Sequence, residues 1–355
     1  MGGPVLQVLT YGVLTFCLQS IMMMGNLQRM VEMEENNDKR SKISRKKFLN
    51  LSTREIQRLV IQKNKPRTGI FLADGNRRLV MTLTGLTPGT DADGFYHEYL
   101  KIVTRYFREN LKVFFDYGLN TLFFPLFGPS LLERERAYRE LVIPELTDVL
   151  FKSETWFNFY KKYDIRIKPY GNVKRLDLEF PGLDLAGKVM QMAALTSRHQ
   201  AHTLYFGFFS TTWLGIEMIQ QVNNFMKSHG CEPGRKQMIE LYYGEDVPPA
   251  DFFINSTRNA GLGALPPLIS GKETKIYTMV SPGILALNRE TFRNILYDLL
   301  FCREPTKAKE PESSEYTPDE DFSRELEALK EFYRLHQQTV IGQGKRIGKF
   351  WVLDV

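Results

Sequence analysis

The stretch Thr68-Gly-Ile-Phe-Leu-Ala-Asp-Gly-Asn-Arg-Arg-Leu79 packs a buried strand, a turn and a set of anion-binding donors into consecutive positions. Ile70, Phe71 and Leu72 follow the turn-prone Lys65-Pro66 and form a short apolar run, as expected of a strand covered on both faces of a parallel sheet. The run stops at Asp74-Gly75, where glycine lets the backbone turn into a helix whose first N–H groups are unpaired. Asn76, Arg77 and Arg78 add side-chain donors at the same corner. A strand exit of this kind binds phosphate-sized anions. An aspartate beside a polyanion then calls for a magnesium ion bridging the two, or for a protonated group that Asp74 can hold.

Outward from this corner the chain alternates. Ser52-Thr-Arg-Glu55 reads as a capping box opening a helix to about Gln62. After the corner comes a Gly/Pro/Asp-rich loop, Gly85–Gly94, and then an amphipathic helix over about Tyr96–Tyr117, ended by Gly118. Strands are expected at Leu119–Phe127, Ile165–Pro169, Leu204–Phe209, Asp251–Ile254 and Lys275–Val280. Helices are expected at Ser130–Val149 (interrupted near Pro144), Thr212–Lys227, Arg235–Tyr243, Arg289–Cys302 and Phe322–Gln337. Strands separated by helices of these lengths build right-handed βαβ units, so the fold class is α/β, a mostly parallel central sheet with helices on both faces. In such sheets ligands sit at the carboxyl ends of strands, which is where Asp74 falls. Residues 1–47 read as an N-terminal extension, 48–303 as the catalytic domain, and 304–355 as a linker, helix and tail.

Composition narrows the partners. At 355 residues, with 43% hydrophobic and 25% charged residues, the chain can bury a full core. A net charge of +6 favours an anionic partner, but the basic residues are scattered and carry no nucleic-acid-binding signature. Nucleic acid is therefore not expected. Cys17, Cys231 and Cys302 are far apart, which points to a reducing, cytoplasmic compartment rather than a disulfide framework or zinc site. Residues 4–24 are apolar, and the basic segment Lys39–Lys47 follows them. Two readings stay open there, a dispensable extension and a peripheral or single-span membrane contact on an anionic leaflet.

A strand followed by Asp-Gly-Asn and then Arg78 resembles the phosphate-binding motif of the cis-prenyltransferase fold. Within that fold the chain is similar to a diterpene-handling branch, the tuberculosinyl transferase and isotuberculosinol synthase family. DGNRR (74–78), LFGPSLLERERAY (126–138), HTLYFGFF (202–209), RKQMIELYYGEDVPPADFFI (235–254), LISGKETKIYTMVSP (268–282) and RETFRNILYDLLFCR (289–303) carry the similarity, all in the same order. The resemblance implies ionisation of an allylic terpenyl diphosphate, with water or a nucleoside such as adenosine as acceptor, magnesium as cofactor, and a homodimer. It implies that Gly75, Asn76, Arg77, Arg78 and Arg258 bind diphosphate. Asp74, Tyr99 and Tyr138 would be catalytic, with Asp74 also the metal ligand.

The chain departs from the elongating enzymes of this fold in two places. Their Arg-Thr-Ser-Gly-Glu segment, which binds a second diphosphate, is here Asn255-Ser-Thr-Arg258, and their Gly-Gly-Arg segment is replaced by Phe208-Phe-Ser-Thr-Thr212. Chain elongation with isopentenyl diphosphate and a non-catalytic partner subunit are the alternatives. Phe114, Phe123, Phe124 and Phe127 read either as sheet core or as the wall of a terpenyl pocket. His199 and His202 have no third ligand nearby in sequence and read as structural.

Overall fold

A computed structural model describes residues 43–74, 76–89, 91–210, 214–255, 265–271, 273–303, 320–348 and 350–353. The apolar segment 4–24, and with it the anchor reading, lies outside the described residues, as do Gly75 and Arg258. No helix among the described residues is long and apolar enough to cross a membrane. Contacts divide the chain at Ser52 into two units. The described part of the first is a five-residue helix, α1 (Arg45–Leu49), capped by the Ser44 hydroxyl, which accepts from the Lys47 amide.

The second unit begins with α2 (Thr53–Lys63) and β1 (Thr68–Leu72). Then follow α3 (Asn76–Thr84), α4 (Ala92–Asp116), β2 (Thr121–Phe127), α5 (Arg136–Phe151), α6 (Glu154–Lys162) and β3 (Ile165–Gly171). The chain continues through α7 (Arg175–Glu179), α8 (Leu185–Leu195), β4 (His202–Phe208), α9 (Leu214–His229), α10 (Arg235–Tyr243), β5 (Phe252–Asn255) and β6 (Lys275–Thr278). It closes with α11 (Gly283–Ala286), α12 (Arg289–Tyr297), α13 (Glu320–His336) and an antiparallel hairpin of β7 (Gly344–Ile347) and β8 (Phe350–Leu353). β1 to β6 form one sheet in the order β3-β4-β2-β1-β5-β6, with every neighbouring pair parallel. This is the α/β architecture expected, and β1 lies in its interior.

The two faces of the sheet bury different aromatic clusters. Alternation along β1 sends Phe71 to one face and Ile70 to the other. Phe71 meets Phe114 of α4 at 5.3 Å and Phe124 of β2 at 5.8 Å between ring centroids, and Phe114 stacks on Phe252. Ile70 belongs to a cluster with Phe123, Tyr205, Tyr170, Tyr243 and Phe253, in which Phe123 stacks on Tyr205 at 4.4 Å. Phe114, Phe123 and Phe124 are therefore sheet core, on two opposite faces, and do not form one wall. Gly69 is required by this packing. A Cβ there would lie 2.2 Å from the Phe252 ring. Asp251 ties the strand starts together, accepting from the amides of Arg67 (2.7 Å) and Thr68 (3.1 Å).

Several boundaries differ from expectation. The Gly85–Gly94 loop is shorter, because Asp91 accepts from the Gly94 amide and starts α4 at Ala92. α5 begins at Arg136 after a 3-10 turn at Pro129–Leu131, and it runs through Pro144 because Val142, Ile143, Leu146 and Leu150 are buried on either side of the proline. Helices α6, α7 and α8 and the C-terminal hairpin were not expected. His199 and His202 hold strand starts, with Nδ1 atoms 2.8 Å from the Ile165 carbonyl and 2.7 Å from the Leu119 carbonyl.

Candidate active site

The corner forms because β1 ends at Leu72 and α3 begins four residues later at Asn76. The Asn76 amide nitrogen donates to the Ala73 carbonyl at 3.1 Å and closes the turn, while its oxygen is buried with no hydrogen-bond partner. Asp74 is exposed at the tip, and Arg77 and Arg78 are half-buried on the first turn of α3. The amides of that turn have no partner within the helix, and the helix dipole adds positive potential. Arg77 and Arg78 thus share the helical turn that begins two residues after Asp74.

Beside the corner is a cluster of tyrosines. Phe95, Tyr96 and Tyr99 lie within little more than one turn of α4, and Tyr138 comes from the first turn of α5. The Tyr138 ring packs edge-on against Tyr96 at 5.6 Å and Tyr99 at 6.2 Å between centroids. All three are buried, with Tyr138 6% exposed. Tyr138 is buried because α4 packs against that side of α5. The Arg77 guanidinium sits 5.4 Å from the centroid of the Tyr138 ring, within cation–π range.

Burial sets the protonation states, and nearby charges modify its effect. Burial pushes the Tyr99 hydroxyl well above its ordinary pKa, and the neighbouring Tyr138 and Asp74 raise it further against the pull of Arg77. Tyr138 is also raised by burial, although the neighbouring Tyr99 hydroxyl, Arg77 and Arg134 partly offset it. Tyr96 is raised by burial and by Glu135, with Arg77 opposing. At neutral pH all three phenols are protonated. The Tyr99 and Tyr138 hydroxyls interact with each other, and both keep their protons.

Asp74, Arg77, Tyr99 and Tyr138, expected from sequence, therefore lie in one electrostatic neighbourhood. Arg78 is next to Arg77 on the same turn. Sequence reasoning missed Tyr96, Arg134 and Glu135. Tyr96 lies three residues before Tyr99, a helical spacing that placed it on nearly the same face. Of the four phenylalanines considered as a pocket wall, Phe127 alone stands at a strand's carboxyl end, with Phe208 at 5.8 Å and Phe209 at 6.2 Å. No group of three metal-ligating side chains occurs among the described residues.

These elements define an α/β chain of the cis-prenyltransferase fold. Lavandulyl diphosphate synthase from Lavandula x intermedia, solved with dimethylallyl diphosphate, superposes with a TM-score of 0.56 at 11% identity, covering 68% of this chain and 98% of that one. In sequence the chain is similar to tuberculosinyl adenosine transferase of Mycobacterium tuberculosis, 28% identical over 308 residues that span 85% of this chain and 95% of the relative. It is also 26% identical over 296 residues to (+)-kolavelool synthase of Herpetosiphon aurantiacus, covering 82% of this chain and 90% of that protein. No family model matches the sequence.

Proposed function

We propose that the chain ionises an allylic diterpenyl diphosphate at the Asp74 corner and passes the resulting cation to water, giving a diterpene alcohol, or to a nucleophile such as adenosine. The observation that carries this reading is the meeting of the β1–α3 corner with three buried, protonated tyrosines around Arg77. Ionisation breaks the bond between C1 and the diphosphate oxygen. The electron pair leaves with the diphosphate, and a delocalised cation stays on the carbon chain. A site for this step must stabilise both charges as they separate.

Arg77, Arg78, Asn76 and the first amides of α3 would hold the diphosphate, the arginines by paired N–H donors. In the same reading Gly75 and Arg258 join them. Tyr138, polarised by Tyr99 and by Arg77, would donate to the departing oxygen. The faces of Tyr96, Tyr99 and Tyr138 would lie against the cation, since a ring face carries negative quadrupole density. Phe127 would bound the hydrocarbon. Asp74 would then take the proton released when the acceptor's lone pair closes on the cation.

The donor set also fits magnesium, because a carboxylate at the tip beside diphosphate oxygens and water is the environment this ion takes. In this alternative to its role as base Asp74 would hold the ion, which when bound supplies neutralisation of the leaving group. The reading further includes a homodimer and a cytoplasmic setting with peripheral membrane contact through the N-terminal segment.

The test is to incubate the protein with geranylgeranyl and bicyclic C20 diphosphates, with and without isopentenyl diphosphate and adenosine. Diphosphate release with an alcohol or nucleoside adduct is the expected result. Longer prenyl products would replace this reading with elongation, and no release from any allylic diphosphate would leave a non-catalytic subunit.

A further inference from the structure

The outer side of α4 carries cations that the reaction above does not use. Lys101, Arg105, Arg108 and Lys112 are spaced by four, three and four residues, which sets them in one row along the helix. Lys101, Arg105 and Lys112 are exposed and Arg108 is half-buried. Lys101 pairs with Glu98 at 3.2 Å, whereas among the described residues Arg105, Arg108 and Lys112 have no ion-pair partner. Glu98, Glu109 and Asp116, the acids on these turns, fall together on one flank and leave the row unbroken. Lys101, Arg105 and Arg108 edge a groove of about 770 Å³ between α4, the end of α3 and the α5–α6 junction. Its floor is apolar, with Ile102, Val149 and the buried Trp156, and Leu83 stands beside it 50% exposed.

The spacing of the charges decides what fits them. Lys101 and Lys112 are about 16 Å apart along the helix axis, so the four cations cannot converge on one phosphate. An extended anionic surface meets all of them at once. A nucleic-acid backbone would do so too, but it has no use for the apolar floor or for Leu83. A layer of lipid headgroups backed by acyl chains takes both the charges and the exposed aliphatic side chain.

From this geometry we infer that the outer face of α4 is a contact surface for an anionic phospholipid bilayer, with the cation row on headgroup phosphates and Leu83 among the upper acyl carbons. The contact is separate from one through the N-terminal segment, and it does not depend on the reaction proposed above. Tyr99 lies on the side of α4 opposite the cation row, so the bilayer and the tyrosine cluster are roughly one helix diameter apart.

The test is sedimentation of the full chain with vesicles. Vesicles containing phosphatidylglycerol should bind the wild type more tightly than vesicles of phosphatidylcholine alone, and the preference should shrink as salt is raised, because exposed charges are screened. Arg105→Gln, Arg108→Gln and Lys112→Gln together should weaken binding to the anionic vesicles about 100-fold, since each cation at such a surface is worth about fivefold. The same charge removed from other elements, by Lys174→Gln, Arg198→Gln and Lys227→Gln at exposed positions, should leave binding within about fivefold of the wild type. Leu83→Trp reads the contact without the triple variant: vesicles of brominated phosphatidylglycerol should quench its fluorescence beyond the quenching seen in the wild type. No preference for anionic vesicles overturns the inference. So does full binding by a triple variant that melts with the wild type, an equal loss in the control variant, or no added quenching in Leu83→Trp, which decides the matter if the triple variant fails to fold. Binding of an oligonucleotide in place of vesicles, lost in the triple variant, would assign the row to nucleic acid and overturn the lipid contact.

Discussion

Tyr138→Phe removes one oxygen from the middle of the proposed site, and its two consequences can be worked from the contacts that oxygen makes. In the proposed arrangement the hydroxyl of Tyr99, a residue 5% exposed, donates to Tyr138. Without that acceptor the Tyr99 proton is buried and unmet, which costs about 1–3 kcal/mol of stability. Tyr99→Phe removes a donor and leaves the Tyr138 O–H able to turn elsewhere, so its cost is smaller, about 0.5–1.5 kcal/mol. The double variant has neither group. Replacing both partners by apolar groups of the same shape is close to neutral, so the double variant should be more stable than the two single costs predict, by about 1 kcal/mol.

For catalysis the order is fixed by which hydroxyl faces the leaving group. Loss of a hydrogen bond from Tyr138 to a charged oxygen is worth about 1.5–3 kcal/mol, or roughly 10- to 150-fold in kcat. Tyr99→Phe only weakens the polarisation of Tyr138 and should cost less than about tenfold. Urea denaturation of the four proteins gives the stability cycle, and rapid-quench measurement of diphosphate release gives the rates. A Tyr138→Phe rate within threefold of wild type, or strictly additive stabilities, would refute the proposed chain from Tyr99 through Tyr138 to the diphosphate.

Three other predictions use different parts of the molecule. Asp74→Asn should lower turnover at least about 100-fold with no change in melting temperature, because the side chain is exposed at the tip; substantial residual activity would remove Asp74 from its role. Gly69→Ala should destabilise the protein by about 1–3 kcal/mol in urea denaturation, since the added Cβ lies 2.2 Å from the Phe252 ring, and wild-type stability would show that β5 gives way freely. Burial pushes the Glu245 carboxyl up, but the Tyr205 hydroxyl at 2.5 Å, Lys168 and Arg166 outweigh it and hold its pKa below the ordinary 4.5. A pKa depressed in the folded state contributes stability that is present above the unfolded value and lost as pH falls through the folded one. Acid unfolding curves should therefore show Glu245→Gln losing less stability than wild type as pH falls below about 4.5, and parallel curves would contradict the assignment.

How much of this was legible in the sequence depends on how far apart the contacting residues are. The β1 strand and its corner were readable because Ile70, Phe71, Leu72, Asp74 and Arg77 are local, and burial on both faces leaves an unbroken apolar run. α8 was not readable. LAGKVMQMAAL is apolar around much of its circumference, so it lacks the stripe that marks an amphipathic helix. Tyr96 and Tyr138 are separated by 42 positions, and only the packing of α5 on α4 brings their rings to 5.6 Å. The family resemblance supplied Tyr99 and Tyr138, but nothing local in LLERERAY sets Arg134 and Glu135 against those rings. Asn255 was read as the residue after the strand, whereas the ladder continues through it and pairs it with Leu72 and Thr278.

The protonation of the tyrosines bears on why the proposed site would release its product. A phenolate beside an allylic cation is itself a nucleophile, and its capture of the terpenyl group would end the reaction on the enzyme. Arg77 and Arg134 lower the cost of forming that anion, yet the net shift of Tyr138 is upward, because burial outweighs them. Tyr99 is held higher still by burial, by Tyr138 and by Asp74. Asp74, proposed to take the acceptor's proton, adds to that upward push on both phenols. Ring faces and O–H donors can then meet the separating charges with no anionic oxygen competing for the cation, leaving the external acceptor as the nucleophile that closes the reaction.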